Sequence, residues 1–181
     1  MNKKIRWITE TAVMLALLVS LQALTKPLGQ LVTGSCVNTI LAISVLLGGI
    51  GCGITVAIVS PVLAFLLGIA PQILTVPAIM VGNTLFVIAL YFICGKNSKQ
   101  VLRQIIGWLV AAGVKFAALY TIVVGLICGA MAPSLLATGT LKEPMLKVLP
   151  ATFSWPQLVT ALIGGAVALL IVPVLRKALH K

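Results

Sequence analysis

Lys115 is the residue least at home in its surroundings. It stands in Gly113-Val114-Lys115-Phe116-Ala117, near the middle of a long apolar stretch. An ionisable group at membrane depth costs about 2.5–3.5 kcal/mol to insert, so it must face a protein interior, a wet cavity or a partner. As a functional group, its ammonium is a counter-charge for an anionic ligand, a carboxylate above all. As a structural group, it snorkels or donates to backbone carbonyls. The chain has two acids, Glu10 and Glu143. Neither falls at a matching depth, which favours an anion from outside the chain.

A few neutral polar residues share the apolar background. Asn83 lies about 9 Å from the nearer end of its helix, at roughly 1.5 Å per residue. An amide there either meets a ligand or joins helices. Asn38 follows Thr33-Gly34-Ser35 and reads as the first residue of a helix, either its cap or a ligand contact. Gln157 and Thr160 open the last helix at the same level, preceded by Phe153 and Trp155. Aromatics at this level anchor a protein at the membrane interface; the other reading is stacking on a flat ligand. Glu10 follows Arg6 by four residues, the spacing of a helical ion pair.

Other chemistries lack material. Cys36, Cys52, Cys94 and Cys128 form no CxxC, and His180 is the single histidine. Neither a disulfide nor a zinc site is expected, and no cofactor. Buried thiols of this kind pack as small hydrophobes. Hydrolysis or acyl transfer needs His, Asp, Glu or a metal cluster. There is no Gly-rich Walker loop, hence no energy source within the chain. Secondary transporters couple to ions through intramembrane acids, and only Glu10 comes near the membrane.

Elements must now position these residues. Of 181 residues, 61% are hydrophobic and 8% charged, against roughly 25% charged in a soluble domain. The stretch 27–95 holds no charged residue, enough for about three spans of roughly 20 residues. The formal charge of +11 sits at the ends of apolar runs, where it sets orientation and meets lipid headgroups. No basic-aromatic interleaving suggests nucleic acid.

Three basic clusters organise the topology: Lys3, Lys4 and Arg6; Lys96, Lys99 and Arg103; Arg176, Lys177 and Lys181. The positive-inside rule places all three in the cytoplasm. The first apolar run, without a small-residue cleavage site after it, reads as a retained helix. Parity then requires an odd number of crossings between it and Lys96, and three suits the length. The expectation is an all-α polytopic membrane protein, one domain over 1–181, with both termini inside. Its six transmembrane helices fall at about 7–24, 37–49, 53–68, 77–94, 104–128 and 156–175. The breaks fall at Gly48-Gly49-Ile50-Gly51-Cys52-Gly53 and at Gly68-Ile69-Ala70-Pro71. The short second helix implies shielding by protein or by a cavity. The segment 129–155, with Pro133, Pro144 and Pro150, reads as a long external loop of the kind that forms lids or binding loops.

Small residues form a further pattern. Ala12, Ala16 and Ser20 recur every four positions on helix 1, Gly164, Gly165 and Ala168 mark helix 6, and Gly125 and Gly129 make GxxxG. Such faces let helices approach closely, within the chain or against another protein.

Ala12-Val13-Met14-Leu15-Ala16 resembles the AxxxA signature on the first helix of the S-components of energy-coupling factor (ECF) transporters. The chain length, the six helices, the internal termini and the Gly-rich turn after helix 2 are similar to that family as well. The resemblance implies a membrane-embedded capture subunit for a vitamin or related micronutrient. Its partners would be a transmembrane scaffold subunit and two cytoplasmic ATPases, in a bacterial or archaeal plasma membrane. By position, Ala12 and Ala16 would meet the scaffold. The substrate region would include Asn38, Asn83, Lys115, Trp155 and Gln157. A carboxylate-bearing substrate, pantothenate-like or biotin-like, or a modified nucleobase with an acidic arm, would suit Lys115. The alternatives are an autonomous small secondary transporter and a structural membrane subunit.

Overall fold

The computed structural model describes residues 2–69, 72–95 and 100–179. Lys96, Lys99, His180, Lys181 and the Ala70–Pro71 part of the second expected turn lie outside the described residues. Within them the chain is all helical, with no strand.

Helix α1 runs Lys3–Thr25, its first turn capped by the Asn2 side chain, which accepts from the Lys4 amide at 3.1 Å. A 3-10 turn over Lys26–Leu28 places Pro27 where its missing N–H costs nothing. Gly29, at φ 89°, then starts helix α2, Gln30–Ile43, which continues as a π turn over Ser44–Gly48. Gly49, at φ 88°, turns the chain into α3, Ile50–Leu66. Both positions sit in the left-handed region open to glycine at no steric cost. A 3-10 turn at Ile73–Thr75 leads into α4, Val76–Cys94. Helix α5, Val101–Leu119, is prolonged by a π-helix over Tyr120–Ala130. Two short helices follow, α6 (Ala132–Ala137) and α7 (Met145–Phe153), before α8, Trp155–Ala178.

Five of these stretches are long and apolar enough to cross a membrane: Lys3–Leu28, Gln30–Gly48, Ile73–Cys94, Val101–Ala130 and Met145–Ala178. The 17-residue α3 is apolar but shorter, about 26 Å against a hydrocarbon core of roughly 30 Å.

The largest departure from expectation is α2. It begins at Gln30, not at 37, and with its π turn runs for 19 residues. Thr33-Gly34-Ser35 is helical. The Thr33 and Ser35 hydroxyls fold back onto the carbonyls of Gly29 and Leu31 at 3.1 and 2.7 Å. Gly34 is small because Thr160 of α8 lies against it, not because the chain turns there. Asn38 is therefore a mid-helix residue and caps nothing. The segment 129–155 likewise carries α6 and α7.

Side-chain bonds show which helix ends lie together. Lys26 Nζ donates to the Gly68 carbonyl at 2.6 Å, joining the far ends of α1 and α3. At the opposite end Arg176 donates to the Leu46 carbonyl at 2.9 Å, and Arg103 donates to the carbonyls of Ile93 and Phe92. A small crevice lined by Leu46, Cys94, Gln104 and Arg176 brings these ends together. Trp7 and Glu10 of α1 stand over the Gly48–Gly51 turn at the same end. Arg6 pairs with Glu10 there at 3.0 Å.

Packing centres on α2 and α8. A Cβ on Gly164 would stand 2.5 Å from the Ser35 carbonyl oxygen and 2.8 Å from the Thr39 nitrogen, so the two backbones touch there. Gly165 accommodates the Trp108 ring, whose Nε1 donates to the Leu162 carbonyl at 2.9 Å. The small residues of the last helix thus serve contacts within this chain. The main core gathers Leu41, Val45, Phe86, Val87, Ala111 and Ala161. A second cluster, with Leu119, Val123, Ile127, Leu149 and Phe153, holds α7 against the π segment and the start of α4. Cys52 and Cys94 are buried. Ala12, Ala16 and Ser20 are exposed on α1. A Cβ on Gly125 would meet nothing.

Candidate functional site

Lys115 projects into the bundle from the middle of the continuous helix Val101–Ala130, where it is 3% exposed. Its Nζ donates to Asn38 Oδ1 at 2.5 Å and to Asn83 Oδ1 at 2.6 Å. The ring of Phe86 lies 5.5 Å away, within cation–π range. Asn38 in turn donates through Nδ2 to Thr160 Oγ1 at 3.3 Å, and that hydroxyl donates to the Gln157 carbonyl at 3.1 Å. Four helices, α2, α4, α5 and α8, thus meet in one polar cluster inside an apolar bundle.

Local structure explains the convergence. Asn38 reaches the centre because α2 and α8 touch through Gly34 and Gly164. A side chain at either position would push the helices apart and lift Asn38 off Thr160. Asn83 comes close to Lys115 because its neighbour Gly82 accepts the Leu119 side chain, bringing α4 and α5 together. The amide carbonyls point at the ammonium, as buried charge requires when no counter-ion is present. Such bonds to an ionised donor are the stronger kind. No acid can replace them: Glu10 pairs with Arg6 at the far end, and Glu143 is exposed beyond α6.

The cluster forms one wall of a cavity of about 130 Å³. Asn38, Asn83, Lys115 and Leu119 line it. Gln22 and Gln30 come from α1 and α2, Thr152 and Phe153 from α7, and Gln157 from α8. The walls are mainly apolar with a few convergent polar groups, the usual make-up of a small-molecule site. Gln157 Nε2 donates to the Thr152 carbonyl at 3.2 Å. Gln22 Oε1 is buried and lacks a hydrogen-bond partner. Among the described residues no group of His, Cys, Asp and Glu is arranged to hold a metal ion.

Of the five residues expected around a substrate, the structure brings together Lys115, Asn83, Asn38 and Gln157. It does not bring in Trp155, which is 64% exposed at the start of α8 and absent from the cavity wall. The buried aromatic there is Phe153, 3% exposed, two residues earlier. Helix α8 begins at Trp155 and turns it outward, while Phe153 ends α7 facing in. Gln22, Gln30 and Thr152 were not singled out from sequence. Gln22 carried a signal all the same: it is an amide inside the apolar run of helix 1, the criterion that picked out Asn83.

A helical, membrane-apolar bundle closed around one ammonium and a small, mainly apolar cavity defines a class: a membrane-embedded protein with an internal cavity. The model of the family "ECF transporter, substrate-specific component" matches residues 6–176, and the chain belongs to that family. Its members are substrate-binding subunits of transporters, not enzymes, and act with other ECF subunits. No curated protein and no solved structure matches the chain.

Proposed function

We propose that this chain is the capture subunit of an ECF-type importer for a vitamin or related micronutrient bearing a carboxylate, with Lys115 as the anion's partner. The observation that carries the reading is the Lys115 ammonium on the wall of a cavity, held among the described residues by neutral groups. A carboxylate entering that cavity supplies the missing counter-charge. Asn38 and Asn83 hold the ammonium in place, and Gln157 contributes at the mouth.

In this reading the chain crosses the bacterial or archaeal plasma membrane six times, with both termini in the cytoplasm. Support comes from the gathered helix ends. Lys3, Lys4, Arg6, Arg103, Arg176 and Lys177 all belong to the end where Leu46 and Cys94 lie, the positive-inside pattern. Helix α3 leads from that end to the Lys26–Gly68 contact at the other. The cavity then opens outward. Ala12 and Ala16, exposed on α1, form the face for the transmembrane scaffold, which two cytoplasmic ATPases drive.

The test is ligand binding by the purified chain, without ATPases, across a vitamin panel, for the parent and for Lys115→Met. Tight binding of an acidic vitamin that the variant loses is the expected result. A folded parent that binds no member of the panel would sink the proposal.

A further inference from the structure

We infer that the cavity reads both ends of its substrate: a carboxylate deep at Lys115, and a hydrogen-bond donor, hydroxyl or amide N–H, at Gln22 near the mouth. This rests on the capture reading above and adds a substrate polarity and a specificity residue to it.

The inner end presents donors. Lys115 Nζ carries three hydrogens, and two of them go to Asn38 and Asn83. The third hydrogen is taken by neither amide. An ammonium with one hydrogen uncommitted matches the oxygen of a carboxylate. It repels a second donor placed there.

The mouth presents an acceptor. Gln22 lies one turn short of the Thr25 end of α1, whereas Lys115 is midway along the continuous helix Val101–Ala130. Its Oε1 is enclosed and unpartnered, a condition that costs free energy in a water-poor site. Gln157 lines the same cavity, with its Nε2 committed to the Thr152 carbonyl. An amide oxygen without a donor at one end, and an uncommitted ammonium hydrogen at the other, give the cavity a direction. A carboxylate at the mouth would face that oxygen. A donor there satisfies it. The substrate therefore enters acid first, with its hydroxyl or amide end outermost.

A matrix of small acids tests this on the purified full chain. Pantothenate and biotin carry both features. Panthenol and biotinamide keep the donors and lose the carboxylate. Lipoate and nicotinate keep the carboxylate and have no donor at the far end. Affinities are measured for the parent, Lys115→Met and Gln22→Met, with thermal unfolding of each variant to establish that it is folded. The expected result is binding of at least one two-feature acid, with its neutral partner weaker by about thirtyfold or more. Gln22→Met should weaken the two-feature acid about tenfold and leave any binding of lipoate or nicotinate unchanged. A neutral compound binding as tightly as its acid would overturn the inference while leaving the capture role standing. So would Gln22→Met weakening every ligand equally, or none. Failure of all six compounds to bind the folded parent would overturn both.

Discussion

The polar cluster around Lys115 and the outer face of α1 are built from the same kinds of anomaly, yet they end in opposite environments. Around Lys115, small residues let helices touch: Gly34 and Gly164 bring α2 to α8, and Gly82 brings α4 to α5. Buried amides then meet the ammonium. On α1 the small residues Ala12, Ala16 and Ser20 recur just as regularly, but they are exposed. The first pattern is used up in folding. The second remains available. The comparison teaches that regular spacing of small residues marks a close approach without saying whose helix approaches.

The sharpest way to break this comparison is to enlarge a residue in each region. Gly164→Leu should have the largest effect, because its side chain would collide with backbone atoms of α2, which cannot move aside as a side-chain tip can. Overpacking commonly costs about 1–3 kcal/mol or more. A contact with backbone belongs at the upper end, so the variant should lose its monodisperse folded form in detergent. Survival with an unchanged melting temperature would show that the seam is looser than described.

Next comes Lys115→Met. It keeps much of the side chain's apolar bulk and removes the ammonium, leaving two amide oxygens to repartner. The protein should stay folded while affinity for an acidic ligand falls by about 2–5 kcal/mol, read by titration of the purified chain.

On α1 the expectation reverses. Ala12→Leu combined with Ala16→Leu should leave melting and ligand affinity of the isolated chain within about 0.5 kcal/mol, as for exposed positions generally. The same pair should abolish ATP-driven uptake when the other ECF subunits are present. Loss of ligand binding by the isolated variant would remove the distinction between the two regions. The smallest effect should belong to Trp155→Leu. Trp155 is exposed and outside the cavity wall, so affinity should not change, whereas Phe153→Ala at the buried neighbour should lower it.

Much of this was legible because the membrane raises the contrast of polar residues. Lys115 and Asn83 stood out against apolar runs, and both line the cavity. Asn38 stands out in the same way, but of its two readings the helix cap fails, because α2 begins eight residues earlier. Thr33-Gly34-Ser35 has the composition of a turn, and only the presence of Thr160 across the seam shows why glycine is needed in a helix there. Gln22 shows the opposite failure: its polarity was visible, but nothing in the run of helix 1 says that its amide turns toward α2 and α8 and not toward lipid. Trp155 and Phe153 are two residues apart, and the break at Ser154 between α7 and α8 decides which one faces inward. The π segments after Ile43 and Leu119 left no mark in composition, because they differ from α-helix by hydrogen-bond register alone.

The sequence by itself determined that the chain is helical and membrane-apolar, that its basic residues cluster at helix ends, and that one ammonium lies where an apolar solvent penalises it. These follow from transfer free energies and from the length of a span, which depend on residues one at a time or in short windows. Only the tertiary structure decided that Lys115, Asn38, Asn83 and Gln157 share one cavity, that Trp155 stands outside it, and that the small residues of α8 serve this chain while those of α1 stay exposed. The physical reason is rotation: in an apolar bundle every helix face is tolerable to the solvent. Which face turns inward is therefore set by how closely neighbouring backbones pack, a property of helix pairs that no single stretch of sequence contains.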